Sequence, residues 1–220
     1  SSAAALGSKA VKPGDLKLKD LNGDGIIDDN DKKVLGNSQP KFYGGINQQF
    51  QYKNIDLSLF FTFSVGNKVY NANRMEFTTH FQYKDNNMLK EVAGAWRNFD
   101  NNGNRVTDPT QLAAMNENAT FWSPSTGNYI LHSYAIEDGS YLKLSNLTVG
   151  YSLPQDMLAK TKFISKFRVY ATVNNLFTIT GYSGYDPEAN TRRTSPLTPG
   201  VDYAAYPRSR FFLAGINVTF

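Results

Sequence analysis

The chain has no cysteine, which excludes disulfides, thiolate metal sites and cysteine nucleophiles together. Histidine is scarce: His80 and His132 leave little for a zinc centre or a Ser/His pair. No apolar run approaches the roughly 18 residues that a transmembrane helix needs. A helical membrane protein is therefore excluded. A β-barrel is not, because it places apolar side chains only at alternate positions, and a mean hydropathy of −0.44 is compatible with that. Dense Lys/Arg runs are also missing. The formal charge of +4 is dispersed, so no nucleic-acid partner is expected. Nor do Asp, Glu and His pair at spacings that acid/base chemistry requires, so no enzyme is expected. The first residues, Ser1-Ser2-Ala3-Ala4-Ala5-Leu6-Gly7-Ser8, lack the basic segment and apolar core of a secretory leader, as in a mature, partial or cytoplasmic chain.

Aromatics are plentiful, with 13 Tyr and 15 Phe. Many fall at a period of two, the side-chain alternation of a β-strand. Counting back from Phe220, the residues Val218, Ile216, Ala214 and Phe212 form one apolar face, with Thr219, Asn217, Gly215, Leu213 and Phe211 between them. A hairpin is clearer still. Phe42, Gly44, Ile46, Gln48, Phe50 and Tyr52 share a face of its first arm, and after Lys53-Asn54 the second arm aligns Ile55, Leu57, Leu59, Phe61, Phe63 and Val65. Opposite these lie Asp56, Ser58, Phe60, Thr62 and Ser64, as a lumen-facing side would require. Farther on, Leu147, Val149, Tyr151 and Leu153 align, but Leu142 and Leu144 are out of phase, and a bulge near Ser145-Asn146 restores one face. The strand around Phe167, Val169, Ala171 and Val173 alternates in the same way.

The segment Asp20-Leu21-Asn22-Gly23-Asp24-Gly25-Ile26-Ile27-Asp28-Asp29-Asn30-Asp31 has the spacing of a calcium loop. Oxygen ligands come from the side chains of Asp20, Asn22, Asp24, Asp28 and Asp31 and from the Ile26 carbonyl. Gly25 permits the sharp turn, and Ile27 is the anchor to the body. Asp31 stands where glutamate is usual, which shortens the last arm, so Ca2+ is expected with Mg2+ as the alternative. An Asx/Gly turn without an ion is the simpler reading. Lys12-Pro13-Gly14-Asp15 is a turn, not a helix, so the loop is expected to be structural rather than sensory. Residues 67–133 show no sustained alternation. They hold a candidate short helix at Asn87-Met88-Leu89-Lys90-Glu91-Val92-Ala93-Gly94-Ala95-Trp96, a second Asx/Gly turn from Asp100, and three aromatics, Trp96, Trp122 and Tyr129, that either stack on a sugar ring or pack the loop.

The connections alternate: long, short, long, medium-short, long. Outer-membrane barrels have short periplasmic turns and long extracellular loops, and this order meets no parity conflict. The expected organisation is an extracellular loop with the calcium-type motif over 1–41, a transmembrane hairpin over 42–66 and a long extracellular loop over 67–134. Two transmembrane strands with a periplasmic turn follow over 135–177, then an extracellular loop over 178–207 and a closing strand over 208–220. The class is all-β. Phe212, Val218 and Phe220 then form the aromatic strand-end signal read by barrel-insertion machinery.

At this point the residues resemble the carboxy-terminal portion of SusC/RagA-type TonB-dependent outer-membrane transporters. The resemblance rests on Pro13-Gly14-Asp15-Leu16-Lys17 leading into the calcium-type loop, Phe42-Tyr43-Gly44-Gly45, and Glu137-Asp138-Gly139-Ser140-Tyr141-Leu142-Lys143-Leu144-Ser145-Asn146-Leu147. Asn174-Asn175-Leu176-Phe177, Gly184-Tyr185-Asp186-Pro187-Glu188, Tyr206-Pro207 and the Phe220 terminus complete the series. The resemblance implies a plugged barrel of about 22 strands, import of glycans or peptides, energy from TonB through a missing upstream region, a SusD-like lipoprotein lid, a homodimer, and the outer membrane of a Gram-negative bacterium. The strands read here are too few to close a barrel, for which about eight is the minimum. Two alternatives stand beside the importer: a SusC-like barrel serving as scaffold in an envelope assembly, and a secreted calcium-stabilised β-sandwich that binds carbohydrate. Asp186 and Glu188 are expected to stabilise their loop rather than perform chemistry.

Overall fold

The computed structural model describes residues 12–79, 85, 87–124, 131–161, 163–191 and 198–220. Ser1-Ser2-Ala3-Ala4-Ala5-Leu6-Gly7-Ser8, His80 and Tyr129 lie outside them. The chain divides into two units, one of residues 1–35 and 71–136, the other of 36–70 and 137–220.

The second unit is built on an antiparallel five-stranded sheet. Its strands are β1 (Phe42–Tyr52), β2 (Ile55–Val65), β5 (Tyr141–Ser152), β6 (Lys166–Thr180) and β8 (Phe211–Thr219), hydrogen-bonded in that order. Between β1 and β2 the chain reverses at Lys53, which takes the left-handed φ of +53°. Strands of about eleven residues span roughly 36 Å along their own axis, enough to cross a bilayer core when tilted.

Register aligns the apolar positions across all five strands. Phe61 pairs with Ile46 and with Leu144, and Leu144 with Phe177; Leu57 pairs with Phe50 and with Val149, Val149 with Ala171, and Ala171 with Ala214. The pairing slips at one place. Ser145 has no register partner on either neighbouring strand, so Leu142 and Leu144 join the face that Leu147, Val149 and Tyr151 occupy. The extra residue is accommodated on the opposite side, where its hydroxyl meets the Thr62 hydroxyl at 2.7 Å. A one-residue bulge is the physical means of correcting phase without changing side.

This apolar face is open: Phe50, Ile55, Val169, Ile179, Phe212 and Ile216 are all exposed, Phe212 at 74%. A β-sandwich would bury that face against a second sheet. The only other sheet among the described residues is small, ordered β4 (Ile136–Asp138), β3 (Lys68–Asn71), β7 (Val201–Asp202). The periodicity does not announce these strands, because two to four residues are too few to show alternation. The turn after β5 holds α3 (Gln155–Leu158), which buries Leu158. β6 continues to Thr180, past the limit of 177 that alternation suggests.

In the first unit Pro13 and Gly14 form the expected turn, with Gly14 at φ +90° and the Asp15 N–H donating to the Lys12 carbonyl at 3.1 Å. Trp96 lies against Gly14, where a Cβ would come within 2.3 Å of the indole. The expected helix at 87–96 is a 3-10 turn over Lys90–Gly94. Two short helices lie elsewhere: α1 (Ala72–Glu76), capped by the Asn71 side chain, and α2 (Pro109–Met115), capped by Asp108 with Pro109 in its first turn.

Deleting Ser145 removes the bulge and turns Leu142 and Leu144 to the polar side. The deletion is expected to abolish the folded species that migrates apart from the boiled chain on gels, whereas Ser145→Ala retains it. Equal folded amounts from the deletion and the wild type would overturn the bulge's role.

Candidate functional site

The side of the sheet opposite the apolar face carries a ladder of polar side chains. Thr148 and Thr172 hydroxyls meet at 2.8 Å, and the Asn146 amide donates to the Asn174 amide oxygen at 2.8 Å. Toward the hairpin end, Arg168 reaches across β5 to Asp56, its Nε and Nη2 donating to the two carboxylate oxygens at 2.9 and 2.5 Å. The bridge passes over Gly150. A Cβ there would lie 2.3 Å from the guanidinium and 2.4 Å from the carboxylate, so only glycine admits this two-pronged pair.

At the other end of β5 the polar side is charged. Lys143, only 3% exposed, donates to Glu188, whose second oxygen accepts the Tyr141 hydroxyl at 2.9 Å. Arg208 approaches the same carboxylate at 3.4 Å and Asp186 at 4.0 Å. The Glu188 N–H donates to Asp186 at 3.0 Å. Two segments that the sequence marks separately, the Tyr141-Leu142-Lys143 strand start and the Tyr185-Asp186-Pro187-Glu188 loop, are thus locked together. The ion pair could not be read from the residues alone, since 45 positions separate its partners. The signal was a lysine at a sheet position that alternation assigns to the polar side. Burial opposes the charge on Glu188, but the bonds from Lys143 and Tyr141 outweigh it and hold the carboxyl below its ordinary 4.5. Farther along the loop, the buried Tyr182 hydroxyl donates to the buried Asp202 at 2.7 Å. That pair had no sequence signal.

The calcium-type loop lies in the first unit. Asp20 accepts from the Gly23 and Gly25 N–H groups at 2.6 and 2.8 Å, and Gly23 and Gly25 both take φ of +79°. Asp24 accepts from Ile26, Asn22 from Asp24, and Asp28 caps the turn at Asn30. Asp31 closes the ring: its oxygens accept from the Leu21 and Asp28 N–H groups at 2.6 and 2.9 Å. Those donors, Leu21 foremost, hold its carboxyl below the usual range. The first and twelfth positions are therefore drawn to one end of the loop, and Ile27 is buried. No three acidic or histidine side chains gather at metal-binding distance among the described residues. The donor set is all oxygen, which suits a hard cation such as Ca2+ or Mg2+.

Trp96 and Trp122 both make contacts within the first unit. Trp96 donates to Asn98 at 3.0 Å, and Trp122 stacks on Phe121 at 3.8 Å between ring centroids, with Tyr134 and His132 edge-on to it. Burial lowers the His132 pKa. Arg74 lies 3.9 Å over the Tyr134 ring and pairs with Glu91, to which the Tyr134 hydroxyl donates. Burial first, and Glu91 second, push that hydroxyl up to about 12. Asp100 forms the second Asx turn, accepting from Asn102 and Asn104. Of the residues expected to form an insertion signal, Phe212 and Phe220 are widely exposed, and Val218 pairs with Phe167.

Glu188→Gln leaves Lys143 buried without a counter-charge, at a cost of about 3 kcal/mol. Amide protection across 182–191 in the full-length protein is expected to fall about a hundredfold. Because the folded carboxyl titrates below 4.5, the stabilisation is complete above that pH and lost as pH falls through the lower folded value. Wild-type protection, corrected for intrinsic exchange, should decline in that acidic range while that of Glu188→Gln stays flat; parallel profiles would refute the pairing.

No protein-family model matches the chain. It is 35% identical over 212 residues to TonB-dependent receptor P3 of Formosa agariphila, covering 94% of this chain and 19% of that receptor. It is 30% identical over 209 residues to TonB-dependent receptor SusC of Bacteroides thetaiotaomicron, covering 95% of this chain and 18% of SusC. Among solved structures it is similar to a chain of the RagAB peptide importer in its closed-closed state, with a TM-score of 0.66 and 26% identity over 86% of this chain and 18% of that one. The chain spans about a fifth of the length of the curated relatives it matches. Those relatives are receptors, not enzymes. Antiparallel strands, an open apolar face and these similarities agree: over nearly its whole length the chain is related to one segment of the SusC/RagA-type TonB-dependent receptors, proteins of the Gram-negative outer membrane.

Proposed function

We propose that this chain is the carboxy-terminal part of an outer-membrane, TonB-dependent importer of glycans or peptides that works with a SusD-like surface lipoprotein. The observation that carries the reading is the apolar face, which runs across five strands, interrupted at Gln48, and is open along most of its length. In a bilayer every backbone polar group must be paired within protein. The outer edges of β1 and β8 are unpaired in this sheet, so further strands complete the wall, about 22 in all by family resemblance. The polar side then faces the lumen, where the plug of the full-length protein sits. The chain's share of the work is wall, lumen lining and extracellular loops. The oxygen-lined loop of Asp20, Asn22, Asp24, Ile26, Asp28 and Asp31 holds Ca2+, with Mg2+ the competing ion, and acts as a clasp on its own segment.

Uptake of labelled oligosaccharide and oligopeptide mixtures by cells carrying the full-length gene tests import. Loss of uptake on deleting the gene, and equally on removing TonB, is expected. Uptake unchanged by either deletion would favour the scaffold alternative. For the clasp, elemental analysis of the purified full-length protein should find calcium or magnesium in the wild type and lose it in Asp24→Ala. Equal metal content in both proteins would sink that assignment.

A further inference from the structure

Beside the Lys143–Glu188 pair lies a half-enclosed cavity of about 240 Å3, lined by Phe177 of the apolar face as well as by Lys143 and Thr178 of the polar one. It has the volume of about eight waters, which suits one sugar ring or one amino-acid residue. Three cations line it, Lys143, Arg208 and Arg210, together with Thr178 and the apolar surfaces of Tyr185 and Pro207. Among the described residues the carboxylates that pair with these cations are Glu188 and Asp186, and both are already committed. Glu188 accepts from Tyr141 and Lys143 and stands 3.4 Å from Arg208, while Asp186 accepts the Glu188 N–H and stands 4.0 Å from Arg208. Arg210 makes no ion pair or hydrogen bond among the described residues. Among the described residues one positive charge is therefore left over at the cavity, and it belongs to the exposed Arg210 guanidinium.

We propose that this cavity binds a carboxylate group of the translocated substrate, with Arg210 as the binding residue and Arg208 as its neighbour. A guanidinium offers a carboxylate two parallel donors, a geometry that a lysine lacks. A single surplus charge matches a singly charged carboxylate better than a phosphate dianion, which calls for a second free cation. The Tyr185 ring, 86% exposed, and Pro207 supply an apolar wall for the carbon body that bears the acid. The substrate class is thus an acidic oligomer: a peptide with its free carboxyl, or a glycan containing uronic acid. This assignment rests on the import reading.

Calorimetry on the purified full-length transporter separates the sources with two matched pairs of probes. One pair is tetra-alanine with a free carboxyl and its amide; the other is trigalacturonate and its methyl ester. In one of the pairs the acid is expected to bind about tenfold tighter than its neutral partner. Arg210→Gln should erase that preference without changing binding of the neutral probe, and Arg210→Lys should keep part of it. Acid and neutral forms alike in both pairs, unbound forms included, would overturn the site, and so would a preference that survives Arg210→Gln. The import reading is judged apart from this by TonB-dependent uptake. Intact uptake without acid preference sinks the site alone; an acid preference without TonB-dependent uptake sinks the import reading alone.

Discussion

The five-stranded sheet answers to one constraint: a face that meets lipid is built from apolar residues at alternate positions, with Gln48 of β1 an exception. Because side chains alternate strictly, one uncorrected insertion would turn the rest of a strand inside out. The bulge at Ser145 is therefore not a blemish in β5 but the device that lets a strand with two hydrophobic phases present one face. The constraint also confines polar chemistry. Asp56, Arg168, Lys143, Asn146, Asn174, Thr148 and Thr172 all project from the other side, where they satisfy one another across the strands.

On that polar side, charge is used for attachment. A lysine only 3% exposed would be costly alone. Glu188, arriving from a loop, neutralises it and in doing so pins the loop to the strand. The two carboxylate oxygens receive a lysine and a tyrosine, so the loop is held by directional bonds rather than by apolar packing. The Asp56–Arg168 bridge plays the corresponding part lower in the sheet, binding β2 to β6 over a strand that contributes only the bare backbone of Gly150.

How much of this was legible follows from range. The hairpin at Phe42–Tyr52 and Ile55–Val65 could be read because ten or so alternating residues carry their own evidence. The bulge could be read because Leu142 and Leu144 contradict the phase of Leu147 and Val149. By contrast β3, β4 and β7 are too short to alternate, and they exist only because distant segments meet. The Leu89, Val92 and Trp96 spacing suggested a helix, but Trp96 is engaged with Gly14 and Asn98, and only a 3-10 turn forms. At the charged cluster, the bulge turns Lys143 to the polar side, and the loop motif singled out Asp186 and Glu188. Nothing local could tell that these residues meet.

The two arginines beside that cluster differ in kind from its lysine. Lys143 is sealed beneath Glu188 and cannot turn away without leaving a buried charge unpaired. Arg208 is half exposed, and its contacts with Glu188 and Asp186 are long, at 3.4 and 4.0 Å, so water can replace them at small cost. Glu188 keeps Lys143 and Tyr141 when Arg208 swings. The attachment of the loop and the proposed recruitment of an anion therefore draw on different cations of one cluster: the buried one holds the loop in place, and the exposed pair is left for the proposed ligand.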